Sequence, residues 1–218
     1  MGTFPGSPRT LRGAILAVTR ANPIARAVIF QYNPDSVTRS VRPRSAPQET
    51  PAAPEDAHRI WGAPVETVTL TVEVDAADQL ETGDPLAVAT GISGQLAALE
   101  MLLYPGSPLV IANTLLLQAG TIAVMPPESP LVLLVWGPAR VVPIRLESLS
   151  ITEQAFGTTL HPVRASVEIS AQVLSYNDLP ASDPGYALFL VHQVLKEALA
   201  TAAVVNGAVS ALTSPAGA

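Results

Sequence analysis

Hydrophobic and polar residues alternate in two long stretches of the chain, residues 65–74 and residues 163–173. In the first, Val68, Leu70, Val72 and Val74 fall on one face, and in the second every odd position is apolar. Successive side chains of a β-strand point to opposite faces. Both stretches are therefore predicted to be half-buried antiparallel strands.

Two further stretches predict strands of a different kind. Residues 131–136 form an uninterrupted apolar run, which is typical of a strand buried on both faces. Residues 140–156 form a long strand in which the apolar positions change from even numbers to odd numbers. This change predicts a β-bulge near Glu147 and Ser148, because one extra residue shifts the alternation by one position.

The pattern changes to helical spacing after Asp84-Pro85, an N-cap acid followed by proline at the first helical position. It predicts one amphipathic helix that ends near Tyr104, despite the weakening glycines Gly91 and Gly94. Its apolar stripe consists of Val88, Ile92, Leu96, Leu99 and Leu103. A second pair, Asp183-Pro184, predicts a C-terminal helix that ends before Gly207.

Near the start of the chain, the pattern predicts a β-hairpin. Residues 27–32 alternate and are rich in strand-forming residues, Asn33-Pro34 favours a turn, and residues 37–41 would return as the partner strand. Residues 43–64 contain five prolines among small and acidic residues, which indicates a solvated loop.

No charged residue occurs between Glu100 and Glu128, so the apolar insertion, residues 105–130, raises the possibility of a membrane span. After its prolines, 17 residues remain, 109–125, and they include Asn113 and Gln118. A membrane helix needs about 20 mostly apolar residues. The pattern favours a packed helix or hairpin, or an apolar surface that faces another protein, and no membrane span is expected.

The formal charge of −6 conceals two regions of opposite sign. Residues 1–44 carry seven arginines and one acid, whereas the remainder carries five basic residues and seventeen acids. Such a bipolar chain suits head-to-tail or ring contacts with copies of itself or with layered partners. The alternative is a flexible basic arm, residues 1–26, on an acidic domain. Nucleic acid is not an expected partner, because the arginines are not interleaved with aromatic residues.

Residues with catalytic or metal-binding chemistry form no recognisable motif. The chain has no cysteine, and His58, His161 and His192 have no second ligand at metal spacing. Gly91-Ile92-Ser93-Gly94 lies in a predicted helix, which is not the context of a nucleophile turn. The acids between Asp75 and Asp84 lack calcium-loop spacing and indicate a solvated connection. We expect no enzyme activity and no cofactor.

Three segments in a fixed order resemble a known family. They are residues 29–40, which contain Phe30, Asn33 and Pro34; residues 130–137, which end in Trp136-Gly137; and residues 158–174, which contain Arg164. Together they resemble the tube-fold baseplate protein of contractile injection systems, which are phage-tail-like particles. Fuller members carry a LysM domain after the tube-like part, whereas this sequence continues into the predicted C-terminal helix.

The resemblance implies an α+β fold that is mainly β: an antiparallel tube-type barrel or sandwich, residues 27–182, with one flanking helix and a C-terminal helix and tail, residues 183–218. It also implies a structural role in a six-membered ring that joins the spike hub to the inner tube. Expected partners are copies of the chain, the spike hub, the inner tube and other baseplate proteins, assembled in the cytoplasm. The alternatives are a tube or terminator ring elsewhere in the particle, or a small module that binds a hydrophobic ligand through the segment around residues 115–117.

Overall fold

The computed structural model of the chain describes residues 11–18, 26–44, 59–118, 120 and 130–213, with side chains up to residue 205. Most of the proline-rich loop, the second half of the apolar insertion, His58 and the tail after residue 213 lie outside the described residues. The described strands are β1 (Ala14–Val18), β2 (Arg26–Ile29), β3 (Val37–Arg42), β4 (Val65–Asp75), β5 (Leu131–Val135), β6 (Val141–Phe156) and β7 (Pro162–Val173). The described helices are α1 (Ala77–Glu81), α2 (Pro85–Thr90), α3 (Ser93–Glu100), α4 (Ser107–Gln118) and α5 (Pro184–Thr213).

The strands described form one antiparallel sheet in the order β2-β1-β5-β6-β7-β4-β3. The prediction of a mainly β, α+β fold with flanking and C-terminal helices is therefore confirmed. Within the described residues, β2 and β3 are the two edges and do not pair with each other. The sheet has one apolar face, and the core lies against that face.

The predicted strand alternation is confirmed in the centre of the sheet. In β7, Ala165, Val167 and Ile169 are buried, whereas Arg164 and Glu168, at even positions of the same strand, are exposed. β4 alternates in the same way. In β5 only Val132 and Leu134 are fully buried, so the prediction of burial on both faces is wrong.

The β-bulge predicted in the long strand is also confirmed. Leu146 of β6 pairs with Ala171 and Ser148 pairs with Ser170, which leaves Glu147 as the extra residue. After the bulge, odd-numbered residues of β6 face the core side, where Leu149 and Ile151 pack against buried residues. Because of the bulge, β6 keeps its apolar side chains on the core face both before and after the register shift.

The predicted first hairpin is wrong, because β2 and β3 lie at opposite edges of the sheet. The partner of β2 is β1, a strand formed by residues that the sequence pattern assigned to the basic arm. β1 also pairs with β5 and contributes Ile15 and Ala17 to the core. The arm assignment therefore does not hold for residues 14–18.

The predicted single helix is divided in two by Gly91, although its start is confirmed. Asp84 caps α2 by accepting hydrogen bonds from the amides of Leu86 and Ala87. At Gly91 the backbone takes a φ of +56°, and the amide of Ile92 then donates to the carbonyl of Pro162 at 3.0 Å. The break ties the helical layer to the start of β7.

The helices α2 and α3 cover part of the apolar face through a few buried side chains. Ile92, Leu96 and Leu99 join the strand residues in one hydrophobic cluster, whereas Val88 and Leu103 of the predicted stripe are exposed. The acidic connection after β4 contains α1, a helix that the sequence pattern did not predict.

We expect Gly91→Ala to lower the free energy of unfolding by about 2 kcal/mol, measured by urea denaturation. A non-glycine residue at positive φ is strained by about 1–3 kcal/mol, and a Cβ here would lie 2.1 Å from the carbonyl oxygen of Pro162. The matched control is Gly94→Ala inside α3, where a Cβ meets nothing within 4 Å. Helix propensity predicts that the control raises stability by about 0.5–1 kcal/mol. Equal effects of the two variants would contradict this explanation of the break.

Candidate assembly surface

The side chain of Asn33 links the connection after β2 to the residues that precede β1. Its side-chain oxygen accepts a hydrogen bond from the amide of Gly13 at 2.9 Å, and its side-chain nitrogen donates to the carbonyl of Leu11 at 2.8 Å. Pro34 follows in the same connection and is half-buried. The hairpin turn predicted at Asn33-Pro34 is therefore wrong, and Asn33 instead bridges two segments of the chain.

Phe30 and Trp136 belong to different segments of the resemblance, and the fold brings them together. Their ring centroids lie 6.4 Å apart with the planes inclined at 55°. The amide of Phe30 donates to the carbonyl of Gly13, and a Cβ on Gly13 would lie 2.8–2.9 Å from both rings. Gly13 is therefore the point where Asn33, Phe30 and Trp136 meet.

Gly137 belongs to the turn that joins β5 to β6. It adopts a φ of +78°, and the amide of Trp136 donates to the carbonyl of Arg140 at 2.7 Å across the turn. Trp136 is half-buried and packs against the core cluster. The Trp-Gly pair therefore combines a packing residue with a turn residue.

Arg164 lies apart from these residues, on the polar face of the sheet. Its guanidinium binds the carboxylate of Asp75 on the neighbouring strand β4, with Nε and one terminal nitrogen 2.7 and 2.6 Å from Oδ2. The ion pair and the bond from the amide of Ala77 keep the pKa of Asp75 below its ordinary value, although burial alone would raise it. Arg164 therefore forms an ion pair within the chain.

A buried carboxylate on the apolar face of β4 was missed by the sequence reasoning. Glu66 is 6% exposed and binds Nε of Arg39 on β3 at 2.6 Å and Nζ of Lys196 on α5 at 3.1 Å. Burial raises the pKa of Glu66, but the hydrogen bond from Arg39 and the charge of Lys196 outweigh it and hold the pKa below 4.5. The sequence contained a signal for this site. Glu66 lies two positions before Val68 and therefore falls on the apolar face of the predicted strand.

The buried carboxylate adjoins a cleft between the first half of α5 and residues 60–64. The cleft has a volume of about 290 Å³ and includes Glu66, Tyr176, Phe189, His192 and Lys196 in its lining. Tyr176 and Phe189 pack edge to face, with centroids 5.7 Å apart. These contacts attach the first half of α5 to the sheet.

The second half of α5 leaves the sheet after Lys196. Every described side chain from residue 197 to 205 is exposed, including Leu199 at 67% and Val204 at 73%. At 1.5 Å per residue, the helix extends for roughly 25 Å beyond this point. Only Glu197 carries a charge on this half, and most of its residues are alanine, valine or leucine.

The helix α4 is apolar and exposed in the same way. It has no buried residue, and its exposed side chains include Ile111, Leu115, Leu116 and Leu117. The expectation that this segment is a helix packed inside the chain is wrong for the described part of it. An apolar surface that faces another protein stays a prediction.

Metal-binding side chains are not clustered in the described part of the chain. Among them, no group of three or more His, Asp and Glu side chains lies close enough to hold a metal ion. His161 contacts the hydroxyl of Thr159 at 2.5 Å in the turn before β7, and His192 is a buried residue of α5. By length and composition alone, Pro184–Val205 of α5 could cross a membrane, yet its first part is fixed to the sheet through Phe189 and Lys196.

Comparisons with known proteins do not identify the chain. No protein-family model matches it, and no curated protein matches it.

We expect Asn33→Ala to lower the free energy of unfolding by about 1–2 kcal/mol. The substitution removes two hydrogen bonds and leaves the Gly13 amide and the Leu11 carbonyl without a side-chain partner. Ser36→Ala is the control in the same connection, since Ser36 is exposed. Urea unfolding of the two variants checks the prediction. A cost no larger than that of the control would mean that Asn33 does not hold this segment.

We expect Glu66→Gln to lower the free energy of unfolding at pH 7 by about 1–3 kcal/mol, because Arg39 and Lys196 lose their shared anion. Glu73→Gln on the exposed face of β4 is the control, with an expected change within about 0.5 kcal/mol.

The same comparison has a defined pH dependence. The folded pKa of Glu66 is lowered, so its contribution is fully present above the unfolded pKa of about 4.5 and is lost as the pH falls through the folded pKa. The difference between wild type and Glu66→Gln should therefore shrink below about pH 4.5. A difference that stays constant down to pH 3 would contradict the ion-pair explanation.

Proposed function

We propose that this chain is a structural protein of a contractile injection system, and that it forms a ring that joins the spike hub to the inner tube in the baseplate. The proposal starts from the three ordered segments that resemble the tube-fold baseplate family. It is supported by the antiparallel sheet, in which an apolar face is covered by helices and a polar face carries Ser, Thr and Glu residues on β4 and β7. It places assembly in the cytoplasm.

The observation that carries the proposal is the exposure of two apolar helices. Single exposed apolar residues are ordinary, but a contiguous apolar surface on a soluble protein marks a contact with another molecule. A helix whose apolar side chains point in several directions needs cover on more than one side. In a ring, each protomer has a neighbour on both sides, so both α4 and the second half of α5 can be buried without a change in the fold.

A tube or terminator ring elsewhere in the particle would use the same surfaces. The test must therefore also determine which layer of the particle the ring occupies. The hydrophobic-ligand module is less well supported. Residues 115–117, which were the candidate for ligand contact, are exposed on the surface of α4.

Electron microscopy of the purified chain, alone and with the spike hub and tube proteins of the same particle, tests the proposal. We expect a six-fold ring with an axial pore that binds the spike hub on one side and the tube on the other. A ring that binds tube protein on both sides, or that caps the tube end away from the spike, would instead support the alternative layers. A stable monomer that joins neither partner would contradict the proposal.

Variants locate the contact surface in the same experiment. We expect Leu116→Glu on α4 and Leu199→Glu on α5 to abolish ring formation and to leave the thermal unfolding of the monomer nearly unchanged, because both side chains are exposed. Gln95→Glu adds the same charge to an exposed position of α3 and is the control. Rings that form normally with both leucine variants would show that neither helix is a contact.

A further inference from the structure

We infer that the attachment of α5 to the sheet is an acid-sensitive switch, in which protonation of His192 releases the helix. The α5 anchor consists of Phe189, His192 and Lys196, which occur at spacings of three and four residues and therefore share one side of the helix. Phe189 and His192 are 6% and 8% exposed, and the Lys196 ammonium binds Glu66. Beyond the anchor, α5 projects from the sheet.

The imidazole of His192 is arranged for the neutral form. The carbonyl of Ala139, in the turn between β5 and β6, lies near the ring and favours its protonated form, but it acts against the larger effect of burial. The Nδ1 atom of His192 is buried and has no hydrogen-bond partner in the described residues. Protonation would place a hydrogen on Nδ1 where no acceptor lies within reach, and would put a charge in a buried position.

The charged and titratable groups around His192 come from every element that packs against it. On its own helix Lys196 is one turn away, and Arg140 lies in the turn that also supplies Ala139. Glu66 of β4 is the nearby acid, but both of its carboxylate oxygens are already bound, one by Arg39 and one by Lys196. Tyr176 lines the same cleft, and β6 contributes apolar residues to the same core.

Among the groups that the structure describes, the positive charges of Lys196 and Arg140 therefore oppose a charge on His192, and the carboxylate of Glu66 is already shared by Arg39 and Lys196. Burial is the largest effect that lowers the pKa of His192 below 6.5, and Lys196 and Arg140 lower it further, against the Ala139 carbonyl and Glu66. When α5 leaves the sheet, the imidazole enters water and regains its ordinary pKa. The free helix then binds more protons than the attached helix, so acid favours release.

The sign and range of the effect follow from this difference. Attachment is strongest above pH 6.5 and weakens as the pH falls from there toward the folded pKa of His192. At pH 5.5 the released imidazole is about nine-tenths protonated, so attachment weakens by up to about tenfold relative to pH 7.5. This range lies above the pKa of Glu66, so the ion pair with Lys196 stays intact while His192 titrates.

Hydrogen exchange measured by mass spectrometry on the full chain tests the inference, with exchange times lengthened at low pH to compensate for slower intrinsic chemistry. We expect the protection of residues 186–196 to fall several-fold, and by up to about tenfold, between pH 7.5 and pH 5.5 in the wild type. His192→Gln keeps a polar side chain at this position but cannot titrate, so its protection should not change with pH. His161→Gln removes a histidine outside the anchor and should respond as the wild type does.

A wild-type response no larger than that of His192→Gln overturns the inference. If glutamine fails to hold the helix at pH 7.5, His192→Phe provides the second non-titrating variant. A titration of the His192 ring by nuclear magnetic resonance in the wild type needs no variant at all. A pKa at or above 6.5 in that titration also overturns the inference.

Discussion

The central constraint on this fold is that β4, β6 and β7 must keep their apolar side chains on one face of a single sheet. The three strands are adjacent, and Val72, Val167 and Ile169 at their centre are almost completely buried. A shift of one residue in any pairing would turn a whole apolar row toward water. The bulge at Glu147 is needed for this reason, since β6 would otherwise present Leu149 and Ile151 on the polar face.

The edges of the sheet depend on contacts between segments that are distant in the sequence. At one end, β1 enters between β2 and β5, and Gly13 brings Asn33, Phe30 and Trp136 together. At the other end, β3 is held to β4 and α5 through the shared carboxylate of Glu66. A buried carboxylate with two cationic partners is a weak source of net stability, but it fixes which groups can meet there. The ion cluster joins β3, β4 and α5 at a single carboxylate.

The projecting half of α5 and the helix α4 give the described chain two apolar surfaces without internal cover. The proposed ring would bury them between copies or against neighbouring layers of the particle. The proposed acid sensitivity concerns a different property, the attachment of α5 at its base, and it holds for a monomer or a ring. The two proposals therefore fail separately, since one depends on Leu116 and Leu199 and the other on His192.

Some features of this protein follow from its sequence alone because they are local. Alternation in β4 and β7, the bulge near Glu147 and the cap at Asp84 each depend on residues within one element, and the fold retains all of them. The pairing of strands does not follow from the sequence in this way, because pairing joins residues that are distant in the chain. Residues 27–32 and 37–41 read as a hairpin through their short turn, yet burial of β1 against β5 placed the two strands at opposite edges. The break at Gly91 and the burial of Glu66 likewise depend on Pro162, Arg39 and Lys196, and only the tertiary structure brings these residues into contact.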